Sequence, residues 1–189
     1  MSEELKMRDS LITVSHFAFS GGYMRAFTFY HIDEKYINYL HKIEPRVQFN
    51  KNEHRPYIGI VLSINSVDYY VPLESPKPNH KNIKAGGPVF KLDDGNLGIM
   101  GFNNMIPVLP SCLKEFNILE EQDEKYKMLL LNQLKFCEKN KLLIKNRAES
   151  VYKKTIKGNV PFYTQICCNF KKLERKYKKY NPNYKPHKK

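Results

Sequence analysis

Residues 57–81 read YIGIVLSINSVDYYVPLESPKPNHK. Two runs of β-branched, aliphatic and aromatic residues, Tyr57–Ile64 and Asp68–Ser75, are joined by the short Asn65-Ser66-Val67 segment. Runs of this length and composition on either side of turn-forming residues predict a β-hairpin. The second run continues directly into a loop of Glu, Ser, Lys and His residues punctuated by prolines. We therefore expect a hairpin in an antiparallel sheet, with a polar loop at the end of its second strand.

The flanking segments extend this sheet on both sides. Upstream, the alternating residues 24–32 predict a strand, and Asp33 is placed to cap a short helix that Pro45 ends. Downstream, the runs GPVFKL (87–92) and LGIMGFNNMIPVL (97–109) predict further strands. The first 110 residues thus predict a small, strongly twisted antiparallel sheet with one helix.

Helical periodicity replaces the strand pattern beyond Pro110. Residues 124–158 place apolar side chains at helical spacing, with a break predicted at Asn140 and a stop at Gly158. The segment CCNFKKLERKYKKY (167–180) predicts one more amphipathic helix. A sheet followed by packed helices defines a compact α+β fold, and a chain of 189 residues suffices for one sizeable core.

Composition excludes several classes of protein. The longest apolar runs fall short of the roughly 20 residues that a membrane-spanning helix needs, and the N-terminal segment mixes acids with bases, unlike a signal peptide. The four cysteines form no C-x-x-C pair, which predicts reduced thiols in a cytoplasmic protein. The sequence shows neither a carboxylate cluster suited to a metal nor a serine-hydrolase motif, so we expect no metal and no cofactor.

The positive charge is concentrated in the last quarter of the chain. The formal net charge is +13, and residues 139–189 contain 16 lysines and arginines against only Glu149 and Glu174 as acids. A positive segment of this kind suits a polyanion, because each neutralised phosphate releases counterions. A solvated basic face is the alternative interpretation. The aromatic residues interleaved with these charges can stack on unpaired bases, which favours nucleic acid.

The loop after the hairpin carries the groups that one metal-free reaction on RNA requires. Ser75 can donate and accept hydrogen bonds, Lys77 and Lys81 are positively charged, and His80 exchanges protons near neutral pH. RNA supplies its own nucleophile, the 2′-hydroxyl, so a protein has to orient and deprotonate it, stabilise the charged phosphorane and protonate the leaving 5′-oxygen. The same residues also suit a loop that only binds RNA, or an ordinary turn with a solvated histidine.

These segments resemble a known family. The run RPYIGIVLSINSVDYYVPLESPKPNHKN (55–82), followed in order by LGIMGFNNMIPV, YKMLLLNQLKFCEKN and CNFKKLERKYKKY, is similar to the ToxN/AbiQ family, the protein toxins of type III toxin–antitoxin and phage abortive-infection systems. The resemblance covers residues 24–180. It implies a metal-independent endoribonuclease that cleaves single-stranded RNA at preferred sequences, leaving 2′,3′-cyclic phosphate and 5′-hydroxyl ends, with a fold related to the MazF/Kid toxins.

The resemblance also implies a partner and an assembly. In this family a repeat RNA folded as a pseudoknot inhibits the toxin, the toxin processes that RNA, and the RNA joins toxin copies into a closed ring. The expected organisation of the chain is an N-terminal extension (1–23) that can be deleted without loss of activity, a single toxin domain (24–180) and a basic C-terminal tail (181–189).

By position, the resemblance places Ser75 and Lys77 at the reaction centre, with Arg55 and His80 beside them. We expect Lys77 and Arg55 to hold the scissile phosphate, Ser75 to orient the 2′-hydroxyl, and His80 or a neighbouring lysine to move protons. The expected RNA-binding residues are Lys51, Lys81, Phe136, Lys171, Lys172, Arg175, Lys176 and Lys179.

Two positions depart from the family pattern. Glu74 replaces a small hydroxyl residue, and Lys51 stands where an active-site tyrosine is expected, which leaves Tyr57, Tyr69 and Tyr70 as weaker candidates for a tyrosine role. The competing function is a non-catalytic RNA-binding protein, which would use the same C-terminal charge and the same aromatic residues.

Overall fold

The computed structural model of the chain describes residues 26–49 and 55–183. The strands are β1 (Thr28–Ile32), β2 (Tyr57–Ile64), β3 (Val67–Glu74), β4 (Val89–Lys91), β5 (Ile99–Gly101), β6 (Ile106–Pro107) and β7 (Leu113–Glu115). The α-helices are α1 (Glu34–Ile43), α2 (Glu124–Lys139), α3 (Lys141–Lys157), α4 (Pro161–Ile166) and α5 (Phe170–Lys176). Short 3₁₀ segments connect many of these elements, and two of them, Pro78–Asn82 and Asp93–Gly95, flank the site described below.

The predicted hairpin of β2 and β3 is present, and it forms the centre of the sheet. All pairings are antiparallel, and the strand order is β4-β5-β3-β2-β1-β7. β5 pairs with the C-terminal end of β3, and β6 pairs with its N-terminal half. Asn65 and Ser66 form the turn with positive φ angles, the conformation that a two-residue hairpin turn prefers. The α+β prediction is therefore confirmed.

A bulge distorts β2 near its middle. The register with β3 changes between Ile58 and Leu62, and Gly59 lies within this irregular part. A Cβ on Gly59 would overlap the ring of Tyr70, which itself meets the ring of Tyr30 edge-on at 5.3 Å between centroids. The glycine therefore makes room for an aromatic pair, and the bulge adds to the local twist of the sheet.

The helices begin and end where their capping residues predict. Asp33 Oδ1 accepts a hydrogen bond from the Tyr36 amide at 2.8 Å, and α1 ends at Ile43, shortly before Pro45. The α2 and α3 helices meet at Asn140, and Gly158 follows α3 with a φ of 68°. Left-handed backbone of this kind terminates many helices and is easiest for glycine.

An aromatic cluster fastens the C-terminal helix to the sheet. Tyr69 on β3, Tyr152 on α3 and Phe170 on α5 are almost completely buried, and their ring centroids lie 5.7–5.9 Å apart. The Glu174 carboxylate on α5 accepts hydrogen bonds from Tyr69 Oη at 2.9 Å and from Tyr152 Oη at 2.6 Å. This helix thus covers the N-terminal half of β3.

Some features differ from the expectation. The predicted strand 97–109 is divided into β5 and β6 by the 3₁₀ segment Phe102–Asn104. The short β7 and α4 were not predicted, and residues 24 and 25 of the first predicted strand lie outside the described residues.

The cysteines Cys112, Cys137, Cys167 and Cys168 are buried and free. Among the described residues no helix is long and apolar enough to cross a membrane.

A basic cluster at the end of strand β3

The hairpin register brings Arg55 next to Glu74. Tyr57 pairs with Pro72, and the Leu73 amide donates a hydrogen bond to the Pro56 carbonyl at 3.0 Å. In antiparallel strands, each step back along one strand corresponds to a step forward along the other. The same register therefore places Arg55 opposite Glu74, the last residue of β3. Two residues that are separated in sequence thus meet at one end of the central hairpin.

Glu74 lies between two cations. Its Oε2 accepts a hydrogen bond from Lys77 Nζ at 2.7 Å, and its Oε1 lies 4.0 Å from Arg55 Nη1. Burial raises the pKa of Glu74, but the hydrogen bond from Lys77 and the charges of Lys77, Arg55 and His80 outweigh burial and hold that pKa below its ordinary value. The carboxylate is therefore ionised at neutral pH and marks a position where an anion is stabilised.

The loop beyond Glu74 is exposed. Ser75 and the two prolines after it are open to solvent, and the Lys77 side chain is 52% exposed. Within the described part of the chain the Ser75 hydroxyl has no hydrogen-bond partner. Lys81 is also exposed, and its carbonyl accepts a hydrogen bond from Lys91 Nζ at 3.4 Å. A hydroxyl and two lysine side chains are thus accessible to a ligand.

His80 differs from its neighbours because it points inward. Only 3% of the residue is exposed, its amide donates to the Lys77 carbonyl at 3.0 Å, and it packs against the backbone at Gly95. The sequence suggested a solvated histidine as the ordinary alternative, and the structure instead places this residue under the loop. His80 therefore fixes the path of the loop beneath Lys77.

Two residues that the sequence analysis did not single out support the loop from behind. Gly98 has a φ of 94°, and a Cβ there would overlap the carbonyl oxygen of Glu74. The neighbouring Leu97 carbonyl accepts a hydrogen bond at 2.7 Å from Nε2 of Gln133, a buried residue on α2. The glycine in an alternating apolar run was the available signal for Gly98, whereas the role of Gln133 depends on tertiary packing alone.

Unpaired polar atoms collect around this end of β3. Arg55 Nε, His80 Nδ1 and Gln133 Oε1 are buried and lack hydrogen-bond partners within the described residues. Leaving such atoms unpaired costs free energy, typically about 1–3 kcal/mol each. Native proteins keep few of them, and each one that remains calls for an explanation, of which a catalytic or binding role is one. We call the group Arg55, Glu74, Ser75, Lys77, His80 and Lys81 the β3-end cluster.

The predicted C-terminal RNA-binding residues lie elsewhere. Lys171, Lys172, Arg175 and Lys176 on α5 and Lys179 just beyond it are exposed, and we call these five residues the α5 basic face. Glu174 of α5 bonds to Tyr69, and the six residues from Tyr69 to Ser75 span about 20 Å of extended strand. The structure thus divides the predicted RNA contacts into two surfaces.

The remaining candidates are distributed as follows. Phe136 on α2 is half-buried and packs against the hydrophobic core, so its ring is not fully available for stacking. Lys51 lies outside the described residues. Among the tyrosines, Tyr57 and Tyr70 are buried within the sheet, and Tyr69 donates to Glu174 at the opposite end of β3 from Ser75. None of the three presents its hydroxyl at the loop surface.

Comparison with known proteins identifies the class to which this fold and cluster belong. Residues 28–178 match the family model of the toxin ToxN of type III toxin–antitoxin systems. This chain belongs to the ToxN family, and its curated relatives are endoribonucleases.

The relatives match over most of their length. The endoribonuclease ToxN of Bacillus thuringiensis subsp. kurstaki is 37% identical over 161 residues, which is 80% of this chain and 83% of the relative. ToxN of Pectobacterium atrosepticum is 31% identical over 79% of this chain and 91% of the relative. The endoribonuclease AbiQ of Lactococcus lactis subsp. lactis is 31% identical over 78% of this chain and 86% of the relative.

Solved structures agree with this assignment. The lactococcal anti-phage endoribonuclease AbiQ has a TM-score of 0.73 at 29% identity, covering 82% of this chain and 98% of that chain. A structure from a bacterial antiviral system regulated by a processed non-coding RNA also has a TM-score of 0.73, at 30% identity over 82% of this chain and 99% of that one. A third, a type III toxin inhibited by a non-coding RNA pseudoknot, has a TM-score of 0.68 at 34% identity, covering 82% of this chain and 98% of that chain. The expected relation to the MazF/Kid toxins stays a prediction.

Proposed function

We propose that this chain is a metal-independent endoribonuclease toxin that cleaves single-stranded RNA at preferred sequences and is held inactive by a pseudoknot RNA. The main support for this proposal is the β3-end cluster, in which Arg55 and Lys77 face one anionic position next to the exposed Ser75. An arrangement that stabilises a carboxylate also suits a phosphodiester, because both present two oxygens that share a negative charge.

In the proposed reaction the 2′-hydroxyl of the RNA attacks the adjacent phosphorus. A new P–O bond forms, the bond to the 5′-oxygen breaks, and the products carry a 2′,3′-cyclic phosphate and a 5′-hydroxyl. Arg55 and Lys77 stabilise the charge that develops on the phosphorane, and Ser75 orients the nucleophile through a hydrogen bond. No step in this scheme requires a metal ion.

Burial distinguishes the groups that move protons from those that position the loop. His80 is buried, so we assign to it the role of holding Lys77 and its neighbours in place. Lys77 and Lys81 are exposed on the reacting side, and we propose that one of these lysines exchanges a proton with the RNA. The sequence left His80 and a neighbouring lysine open as the group that moves protons, and we propose the lysine.

The two basic surfaces suggest how RNA is held. We propose that the β3-end cluster receives the scissile phosphate and that the α5 basic face binds a more distant part of the same RNA or of the antitoxin. Relatives in this family include a toxin that is selectively inhibited by a non-coding RNA pseudoknot. An RNA that contacts both surfaces of neighbouring copies would join toxins into the closed ring expected for this family.

We propose residues 24–180 as the toxin domain, with residues 1–23 as a dispensable extension and 181–189 as a basic tail. We propose that the chain acts in the cytoplasm, where a toxin that cleaves cellular RNA meets its substrate.

The proposal is tested by incubating the purified chain with a long single-stranded RNA in EDTA and analysing the ends of the fragments. We expect cleavage at a short recurrent motif with 2′,3′-cyclic phosphate ends. The matched 2′-fluoro RNA should remain intact, because it lacks the nucleophile. Tight RNA binding without any cleavage would instead support the non-catalytic RNA-binding alternative, and cleavage that stops in EDTA would contradict the metal-free mechanism.

A further inference from the structure

Glu74 occupies the position at which the proposed function places a phosphate. Its two carboxylate oxygens are divided between the two cations, with Oε2 bonded to Lys77 Nζ at 2.7 Å and Oε1 4.0 Å from Arg55 Nη1. No other acidic side chain in the described part of the chain forms an ion pair with either cation. A phosphodiester that engages both cations therefore meets a carboxylate already in place.

We propose that Glu74 is an internal competitor for the RNA phosphate, which holds Lys77 and Arg55 in position in the free protein and must swing away when RNA binds. This inference rests on the proposed function, because it takes the β3-end cluster as the phosphate site.

The mobility of the groups in this cluster fits such an exchange. The Arg55 side chain is only 10% exposed, and besides its ion pair with Glu74 it donates a hydrogen bond to Gln48 Oε1, so the arginine is fixed. Glu74 is 25% exposed at its side chain, and Lys77 is 52% exposed, so both can rotate toward solvent. Displacement of Glu74 thus leaves a fixed guanidinium and an adjustable ammonium available to RNA.

Electrostatics gives the direction of the effect. With Glu74 in place, the net charge of the three groups is that of one cation, and without it the net charge is that of two. Two anions cannot share this position without strong repulsion, so part of the binding free energy of RNA is spent on moving the carboxylate. A variant without the carboxylate should therefore bind RNA more tightly. Substitution of a residue within a binding site usually weakens binding, so this direction is specific to a competitor.

The test measures the binding of a mixed-sequence 2′-fluoro RNA, which cannot be cleaved through a 2′-hydroxyl, as a function of salt concentration. We expect Glu74→Gln to tighten binding roughly two- to fivefold, the equivalent of one partly exposed ion pair. The salt dependence should steepen by about 0.7 in the logarithmic slope, the contribution of one more cation on single-stranded RNA. Glu74→Ser provides a second variant in which the carboxylate is removed by truncation.

Two controls separate competition from a general change in charge. Glu149→Gln removes an acid that forms an exposed ion pair with Lys153 at 2.6 Å on α3, and it should leave binding almost unchanged. In a Lys77→Met background the effect of Glu74→Gln should shrink to less than half, because one of the two contested cations is absent.

These measurements distinguish a failure of the competitor role of Glu74 from a failure of the proposed function. Weaker or unchanged binding by both Glu74 variants, or equal tightening by Glu149→Gln, would overturn the inference. So would a wild-type protein and a Glu74→Gln variant that both fail to bind the 2′-fluoro RNA. Tighter binding by the Glu74 variants, from a protein that cleaves no natural RNA, would support the competitor role while refuting the catalytic proposal.

Discussion

Gly98 illustrates how a single residue without a side chain shapes the candidate site. It lies beside the Glu74–Ser75 backbone with a φ of 94°, and a Cβ there would overlap the Glu74 carbonyl oxygen. Gly86 has a similar φ of 87° but has open space around the position of a Cβ. Substitution at Gly86 therefore introduces backbone strain alone, whereas substitution at Gly98 also displaces the loop.

Replacing Gly98 by alanine should cost more than the same change at Gly86. We expect Gly86→Ala to lower the free energy of unfolding by about 1 kcal/mol, from backbone strain alone. Gly98→Ala should lower it by about 2–3 kcal/mol and reduce RNA cleavage more than tenfold, because Glu74 and Ser75 must shift. Denaturant unfolding and initial cleavage rates measure both effects, and equal losses for the two variants would contradict this account.

Glu44 provides a second prediction for one residue. This buried carboxylate at the end of α1 accepts hydrogen bonds from Arg46 Nε at 2.7 Å and from the Asn169 amide at 3.2 Å. Burial raises the pKa of Glu44, but the bonds from Arg46 and Asn169 outweigh burial and hold that pKa below its ordinary value of 4.5. Its contribution to stability is therefore complete above pH 4.5 and is lost as the pH falls through the lower folded-state pKa.

We expect Glu44→Gln to destabilise the protein by about 1.5–3 kcal/mol at neutral pH, because charge-assisted hydrogen bonds to a buried carboxylate are lost. The difference between wild type and variant should narrow on acidification below pH 4.5. Unfolding measured at several pH values tests this, with the exposed Glu120→Gln as the control. A difference that stays constant at all these pH values would show that the Glu44 charge is not responsible.

At the scale of single elements, the sequence predicts the hairpin well because its local chemistry is unambiguous. The Asn65-Ser66 turn and the flanking apolar runs are sufficient to define β2 and β3. The same holds for α1, whose cap Asp33 and terminator Pro45 are visible in the sequence. By contrast, β7 and α4 contain few residues each and depend on pairing or packing partners, so no local pattern identifies them.

The candidate site was predictable to a similar degree. The family pattern indicates Ser75 and Lys77, and the antiparallel register then explains why Arg55 joins them. Burial is a property of the packed molecule, so the inward position of His80 and the role of Gln133 were not visible in the sequence. The charge of the last quarter of the chain was also visible, but its distance from Ser75 follows only from the docking of α5.

The docking of α5 itself rests on Glu174. Its carboxylate accepts hydrogen bonds from Tyr69 and Tyr152 and pairs with Lys171 Nζ at 3.0 Å. We expect Glu174→Gln to destabilise the fold by about 1–3 kcal/mol, since buried tyrosine hydroxyls lose a charged acceptor. Glu149→Gln, which removes an exposed pair on α3, should change stability by less than about 1 kcal/mol. Chemical denaturation compares the two variants with the wild type. Equal stabilities of Glu174→Gln and Glu149→Gln would show that this network does not anchor α5.

At the scale of the whole molecule, the two basic surfaces should have separable functions. Lys172→Ala/Lys176→Ala on the α5 basic face should weaken RNA binding and flatten its salt dependence by about 1.4 in the logarithmic slope. The cleavage rate at saturating RNA should change little, because α5 is docked at Tyr69, about 20 Å of extended strand before Ser75. Lys125→Ala/Lys139→Ala on α2 is the control with an equal change in charge. A large loss of the saturated cleavage rate would contradict the separation of the two surfaces.

If the loop at the end of β3 carries out the reaction, a single-turnover comparison of wild type and Ser75→Ala should show it. RNA cleavage in EDTA and binding of the matched 2′-fluoro RNA are measured on the same preparations. We expect Ser75→Ala to lower the cleavage rate about 100-fold or more while RNA binding stays within about twofold, because the hydroxyl acts on the reacting group. Cleavage at the wild-type rate by Ser75→Ala would contradict the assignment of the active site.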